Sequence, residues 1–135
     1  MNESAPTHPP RLGLRHVALV VSDLPAAERF WVEVMGYEIE WRPDADNVYL
    51  RGGHDNLALH HGPARPPTDG SGQLDHIGIA VARPDEVDAW AAHLRAHGVP
   101  LETEPKTHRD GSRSIYFRGP EQVLIQVIHH PPMVG

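Results

Sequence analysis

Two short apolar runs, His16-Val17-Ala18-Leu19-Val20-Val21 and His76-Ile77-Gly78-Ile79-Ala80-Val81, each begin with a histidine and each lead into the same succession of signals. Runs this short and this rich in branched residues, bounded by turn residues, predict strands covered on both faces, over 14–21 and 76–81. Behind the first, Ser22-Asp23-Leu24-Pro25 supplies a capping side chain and an early proline, the opening of a helix. Ala27, Phe30, Trp31 and Val34 follow at helical spacing, and Gly36 stands where a C-terminal cap belongs. Behind the second, Arg83-Pro84-Asp85 opens a helix, Val87, Trp90, Ala91 and Leu94 form its buried stripe, and Gly98 closes it. Three strands are predicted after each helix: 37–42, 47–51 and 56–61 in the first half, 99–103, 113–118 and 123–129 in the second.

Each half is therefore βαβββ, an internal repeat. Residues 1–11, polar and proline-rich, are expected to form a disordered tail ahead of one domain spanning 12–135. Within it, module one covers 12–61 and module two 74–130. The linker 62–73 is rich in Gly, Pro and Ser and nearly devoid of apolar mass. One such unit exposes a sheet face that it cannot cover alone. The two are expected to pair into an α+β architecture, a curved mixed sheet around a cavity with the helices on its outer face.

Composition narrows the partners. The chain has 135 residues, a formal charge of −6 and no cysteine. The acidic balance argues against nucleic acid, whose phosphates need a basic patch. No apolar stretch is long enough to span a bilayer. Without cysteine there are neither disulfides nor thiolate metal sites, which fits a cytoplasmic protein.

Strand alternation sorts the side chains. Val17, Leu19 and Val21, like Ile77, Ile79 and Val81, belong against the helices. The opposite faces carry His16, Ala18 and Val20 in one half and His76, Gly78 and Ala80 in the other, histidines fronted by small residues that leave room for a cavity. By the same rule Ala58 and His60, Gln126 and Ile128, Tyr49 and Arg51, and Ser114, Tyr116 and Arg118 face inward. A concave wall of His16, His76, Gln126, His60, Tyr49 and Tyr116 suits a metal and a small molecule, since imidazole and amide oxygen both ligate. Phe30, Trp31 and Trp90 are expected in the core, Glu38, Glu40 and Glu102 on the strand surface. His93 and His97 are expected to be solvated on the second helix.

The segments 14–25, Phe30-Trp31, Gly36-Tyr37, 74–81 and 114–120 together resemble the vicinal oxygen chelate superfamily of glyoxalase I, extradiol dioxygenases, fosfomycin-resistance enzymes and bleomycin-binding proteins. The resemblance covers residues 12 to 130. It implies a divalent metal held by the first and last strands of each module, at the positions of His16, His76, Ala58 and Gln126. Ala58 and Gln126 both stand where metal-dependent members place glutamate. Ala18 replaces a threonine of the fosfomycin enzymes. The resemblance also implies a homodimer, with the two histidines drawn from one subunit or from two.

The leading expectation is an enzyme with one divalent ion (Zn, Mn, Fe, Ni or Co) on His16, His76 and Gln126. His60 and Tyr116 are the candidate catalytic groups, and Tyr49, Arg51, Ser114 and Arg118 the candidate substrate contacts. His60 is also a candidate third imidazole. The competing expectation is a metal-free protein that sequesters a small ligand, as the bleomycin-binding members do.

Overall fold

The computed structural model describes residues 7–133. The first six positions of the expected tail lie outside the described residues, and residues 7–11 carry neither helix nor strand. Eight strands form two four-stranded mixed sheets. In the first, β1 (His16–Val21) runs parallel to β4 (Asn56–His61), which pairs antiparallel with β3 (Asn47–Arg51), and that with β2 (Glu38–Asp44). The second repeats the order with β5 (Ile77–Ala80), β8 (Leu124–His129), β7 (Arg113–Arg118) and β6 (Leu101–Thr107). Each sheet is a separate hydrogen-bonded ladder, so the halves meet through side chains.

Helix α1 (Leu24–Arg29) starts under the Asp23 carboxylate, which accepts from Ala26 N at 3.1 Å. It continues through a π-helical stretch over Phe30–Val34, where Met35 N bonds Phe30 O at 3.1 Å. The wider turn departs from the uniform helix that the apolar spacing predicts, because the period of 3.6 does not register one inserted residue. Helix α2 (Pro84–Ala96) opens with Glu86 accepting from Arg83 N at 2.8 Å. Gly36 and Gly98, at φ 76° and 74°, close the two helices as expected.

One apolar core serves both halves. Val21, Trp31, Val48, Leu50 and Leu59 of module one join Val87, Leu94, Ile115, Phe117 and Val127 of module two in a single cluster. The alternation is thus obeyed: the branched residues of each strand meet the helices. Across the seam Phe30 lies 6.5 Å from Phe117, centroid to centroid. His93 departs from expectation. Instead of lying in solvent, it bonds the Val34 carbonyl at 2.6 Å and ties α2 to the end of the first helix. No helix among the described residues is long and apolar enough to cross a membrane.

A second tie is electrostatic. Glu121, between β7 and β8, accepts from Ser22 N at 2.8 Å, Ser22 Oγ at 3.0 Å and Asp23 N at 3.0 Å, at the start of α1. To reach it, Glu121 and Gln122 adopt positive φ of 57° and 69°, costly for residues with a Cβ. Desolvation works to raise the Glu121 carboxyl, but the hydrogen bonds from Asp23 and Ser22 outweigh it and leave it below the usual range. A depressed carboxyl contributes stability that is present above its unfolded value, about 4.3, and is lost as the pH falls below that value. Glu121→Gln is therefore expected to cost at most about 1 kcal/mol at pH 7, after solvent screening. Urea melts from pH 7 to 3 check this: the gap between wild type and variant narrows toward the acid end.

Candidate functional site

His16 sits at the start of β1, level with Asn56 at the start of β4. Its Nδ1 is 2.7 Å from Asn56 Oδ1. The Asn56 amide is itself oriented, because its Nδ2 donates to Glu40 Oε2 at 3.3 Å. An amide oxygen can only accept, so the proton of a neutral His16 lies on Nδ1 and Nε2 carries a free lone pair. His76 reaches the same state by a different partner, Asp75 Oδ1 at 2.7 Å from its Nδ1. His60 repeats the arrangement of His16: Nδ1 is 2.6 Å from Asn47 Oδ1, and Asn47 Nδ2 donates to Asp44 Oδ1 at 2.8 Å. Occupation of one ring nitrogen by an oxygen acceptor is the usual support of a metal-ligating or proton-accepting imidazole.

The structure brings His16 and His76 to one cavity of about 310 Å³, whose wall also includes Leu14, Asn56, Leu74 and Gly78 together with the helix-side residues Trp31, Tyr37, Ile77 and Ile79, while Gln126, Tyr116, Tyr49 and His60 lie outside it. Leu14 and Leu74 precede the two histidines by two residues each, so both modules give this cavity an apolar rim. Further along the inner face of module two, Gln126 lies level with Gly78 and Tyr116. It is 9% exposed, and a Cβ added to Gly78 would stand 3.8 Å from its Oε1, so the amide oxygen leans over the strand of His76. The Tyr116 ring meets the His76 ring edge-on at 5.2 Å. Burial, and then the negative charge of Asp75, push the Tyr116 phenol above its ordinary value, so the hydroxyl keeps its proton and can donate.

The other candidates are placed differently. His60 is level with Val20, four residues along from the His16 level, which is roughly 13 Å on an extended strand. It groups instead with Tyr49, at 6.0 Å between ring centroids. Ser114 is buried, with its Oγ 3.1 Å from His108 Nε2. Neither arginine lines the histidine cavity. Arg51 faces Glu38 at 3.7 Å in an exposed groove beside Gly52 and Gly53. Arg118 bonds the carbonyls of Thr68 and Gln122 and approaches Glu102, so its guanidinium fastens the linker. Ala58, at the position where the resemblance places a glutamate, is fully covered.

Sequence patterning missed Asn47, Asn56, Asp75, His108 and Trp41. The asparagines read as strand-end residues, and only the cross-strand register reveals which histidine each one meets. As donor types, two imidazoles and an amide oxygen suit a divalent cation, without a carboxylate to offset its charge, but Gln126 does not line the cavity that His16 and His76 share.

The family model described as Glyoxalase/Bleomycin resistance protein/Dioxygenase superfamily matches residues 13–127. The manganese-dependent 2,3-dihydroxybiphenyl 1,2-dioxygenase of Geobacillus genomosp. 3 is 29% identical over 115 residues, 84% of this chain and 35% of that protein. The biphenyl-2,3-diol 1,2-dioxygenase of Sphingomonas paucimobilis is 32% identical over 140 residues, 90% of this chain and 44% of that protein. The chain thus spans less than half the length of either dioxygenase. The crystal structure of a lactoylglutathione lyase from Agrobacterium tumefaciens shares the fold with a TM-score of 0.73 at 24% identity, covering 92% of this chain and 98% of the other.

The hydrogen bonds set a testable proton position. In ¹⁵N-resolved spectra of the imidazoles at pH 8, His16, His60 and His76 are expected as Nδ1–H tautomers. Asn56→Leu is expected to shift His16 toward a tautomer mixture and leave His76 unchanged.

Proposed function

The chain belongs to the glyoxalase/bleomycin resistance protein/dioxygenase superfamily, and we propose that it is a small-molecule enzyme of the glyoxalase or dioxygenase type in which His16, His76 and Gln126 hold one divalent metal ion. The observation that carries this reading is the pair of imidazoles, one from each module, lining a common cavity with Nδ1 engaged and Nε2 free. The ion, whether Zn, Mn, Fe, Ni or Co, supplies Lewis-acid polarisation of two neighbouring substrate oxygens. Manganese is the metal in the name of the Geobacillus relative.

The remaining roles fall to the chain itself. Tyr116, protonated and beside His76, donates a hydrogen bond to a substrate oxygen. Gln126 cannot accept a proton, because an amide has no useful basicity, and His60 stands roughly 13 Å along the strand from the His16 level, too far to act on an oxygen held beside that ring. Tyr49 remains a candidate substrate contact on module one, whereas Ser114, buried and bonded to His108, is not one. The cysteine-free chain is taken as a cytoplasmic homodimer, the state its superfamily resemblance suggests.

A second reading is favoured by one specific observation. Among the described residues, no group of three or more His, Asp or Glu is placed to hold a metal. With Ala58 and Gln126 in the positions of carboxylates, the same cavity suits a protein that sequesters its ligand without a metal.

Metal analysis of tag-free protein separates the two. The enzyme reading expects one equivalent of Mn, Fe, Co, Ni or Zn per chain, lost in His16→Ala. It also expects Gln126→Glu to bind the ion at least about tenfold more tightly, because a carboxylate restores charge compensation. Absence of binding in wild type at every concentration tried, with Gln126→Glu equally inert, would leave sequestration as the function.

A further inference from the structure

Among the described residues, Asp55 is the one carboxylate in the wall of the histidine cavity, and it comes from the turn before β4 rather than from a strand. Its oxygens are already engaged. Oδ1 accepts from Gly52 N at 2.7 Å and from Gly53 N at 3.2 Å, and Oδ2 accepts from the Tyr37 hydroxyl at 2.7 Å. A carboxylate that holds three donors has little left to offer a ligand and is a fixture of its turn. The next residue along the chain is Asn56, whose Oδ1 meets His16 Nδ1.

Tyr37 arrives from the opposite side of the cavity wall. Its N–H donates to the Trp31 carbonyl at 2.9 Å, within the π-helical stretch, and its ring meets the Trp31 ring edge-on at 5.1 Å. Both rings are buried and both belong to the wall. The fit against the turn is close: a Cβ added to Gly52 would stand 2.4 Å from Tyr37 Cε1, so the backbone passes the phenol with no room for a side chain. Burial, and then the hydrogen bond and charge of Asp55, push the phenol well above its ordinary value, so at neutral pH the hydroxyl keeps its proton and its role as donor.

Packing alone would need only a phenyl ring at position 37. The hydroxyl adds a grip on the residue that leads the chain into β4, and Asn56 is the first residue of that strand. The N–H of Asn56 is held by the Arg15 carbonyl at 2.7 Å and its side-chain nitrogen by Glu40 at 3.3 Å. The direction from which its backbone arrives is set by Asp55. We infer that Tyr37 is a positioning residue of the histidine cavity: by holding Asp55 it places Asn56 Oδ1 against His16 Nδ1, and so keeps the proton of His16 on Nδ1 and the lone pair on Nε2. The inference rests on the proposed function for the role of His16, but its test needs no metal.

Imidazole ¹⁵N shifts of the intact chain at pH 8 in EDTA supply that test, so failure of the metal reading leaves its outcome decisive. Tyr37→Phe is expected to move the tautomer ratio of His16 by about two- to fivefold, the upper figure being the worth of one lost hydrogen bond. His60 and His76 are expected to stay as in wild type, because Asn47 and Asp75 hold them independently. Asp55→Ala is expected to shift His16 in the same way. Asp55→Asn keeps an oxygen for the Gly52 and Gly53 amides and is expected to leave His16 as in wild type. Val87→Ala, in the core beneath α2, gives the comparison for lost stability alone and is expected to leave His16 unmoved. A Tyr37→Phe protein that melts earlier with its His16 signals unchanged overturns the inference, since the hydroxyl would then serve the turn only. Equal movement of all three histidines overturns it too, because it marks general loosening. Should Tyr37→Phe fail to fold, the Asp55 pair decides: identical His16 signals in Asp55→Ala and Asp55→Asn sink the assignment.

Discussion

A βαβββ unit has one helix and therefore covers one face of its sheet. Everything else in this molecule follows from how the uncovered remainder is managed. The helix-side faces of both sheets merge into one apolar core, fixed across the seam by Phe30 against Phe117, His93 on the Val34 carbonyl and Glu121 on the start of α1. The opposite faces carry the remaining side chains, several of which are covered as well, among them Ala58, Ser114 and Gln126. Because β1 and β5 are the first strands of equivalent units, their leading histidines arrive at the same cavity without any local sequence signal bringing them together.

Much of this was legible before any coordinates. Alternation assigned Val17, Leu19, Ile125 and Val127 to the helix side, and β3, β4 and β7 begin and end at the predicted residues. The outer strands were less legible. The second strand was predicted over 37–42 and the sixth over 99–103, whereas β2 and β6 run on to Asp44 and Thr107 with register shifts against their neighbours. Edge strands are exposed, so hydrophobic alternation fades there, and a bulge breaks the period of two. Trp41 escaped notice for that reason: its inward orientation depends on a shift between Ile39 and Trp41 that no pattern announces.

The site was legible as residues and illegible as relationships. His16 and His76 stand out by position in the repeat. What orients them is a hydrogen bond donated by Nδ1 to Asn56 Oδ1, forty residues away, in one case and to adjacent Asp75 Oδ1 in the other. Equivalent rings therefore rest on different chemistry, a neutral amide against an anion. The arginines illustrate the converse error. Alternation put Arg118 on the inner face, but a guanidinium reaches far beyond its own strand, and the linker carbonyl of Thr68 engages it first. Long charged side chains are the ones whose direction strand alternation predicts least well.

The loss of carboxylates has a consequence for how such a site works if it holds a metal. Two imidazoles and an amide would leave both positive charges of a divalent ion uncompensated by the protein. The charge must then be met by whatever enters the open positions. Ion and anionic chelating ligand are bound more tightly together than either is alone, and linkage makes the effect reciprocal. Under the metal reading, Gln126 in place of a glutamate would leave charge neutralisation to the ligand, and it leaves the chain without a basic group at that position.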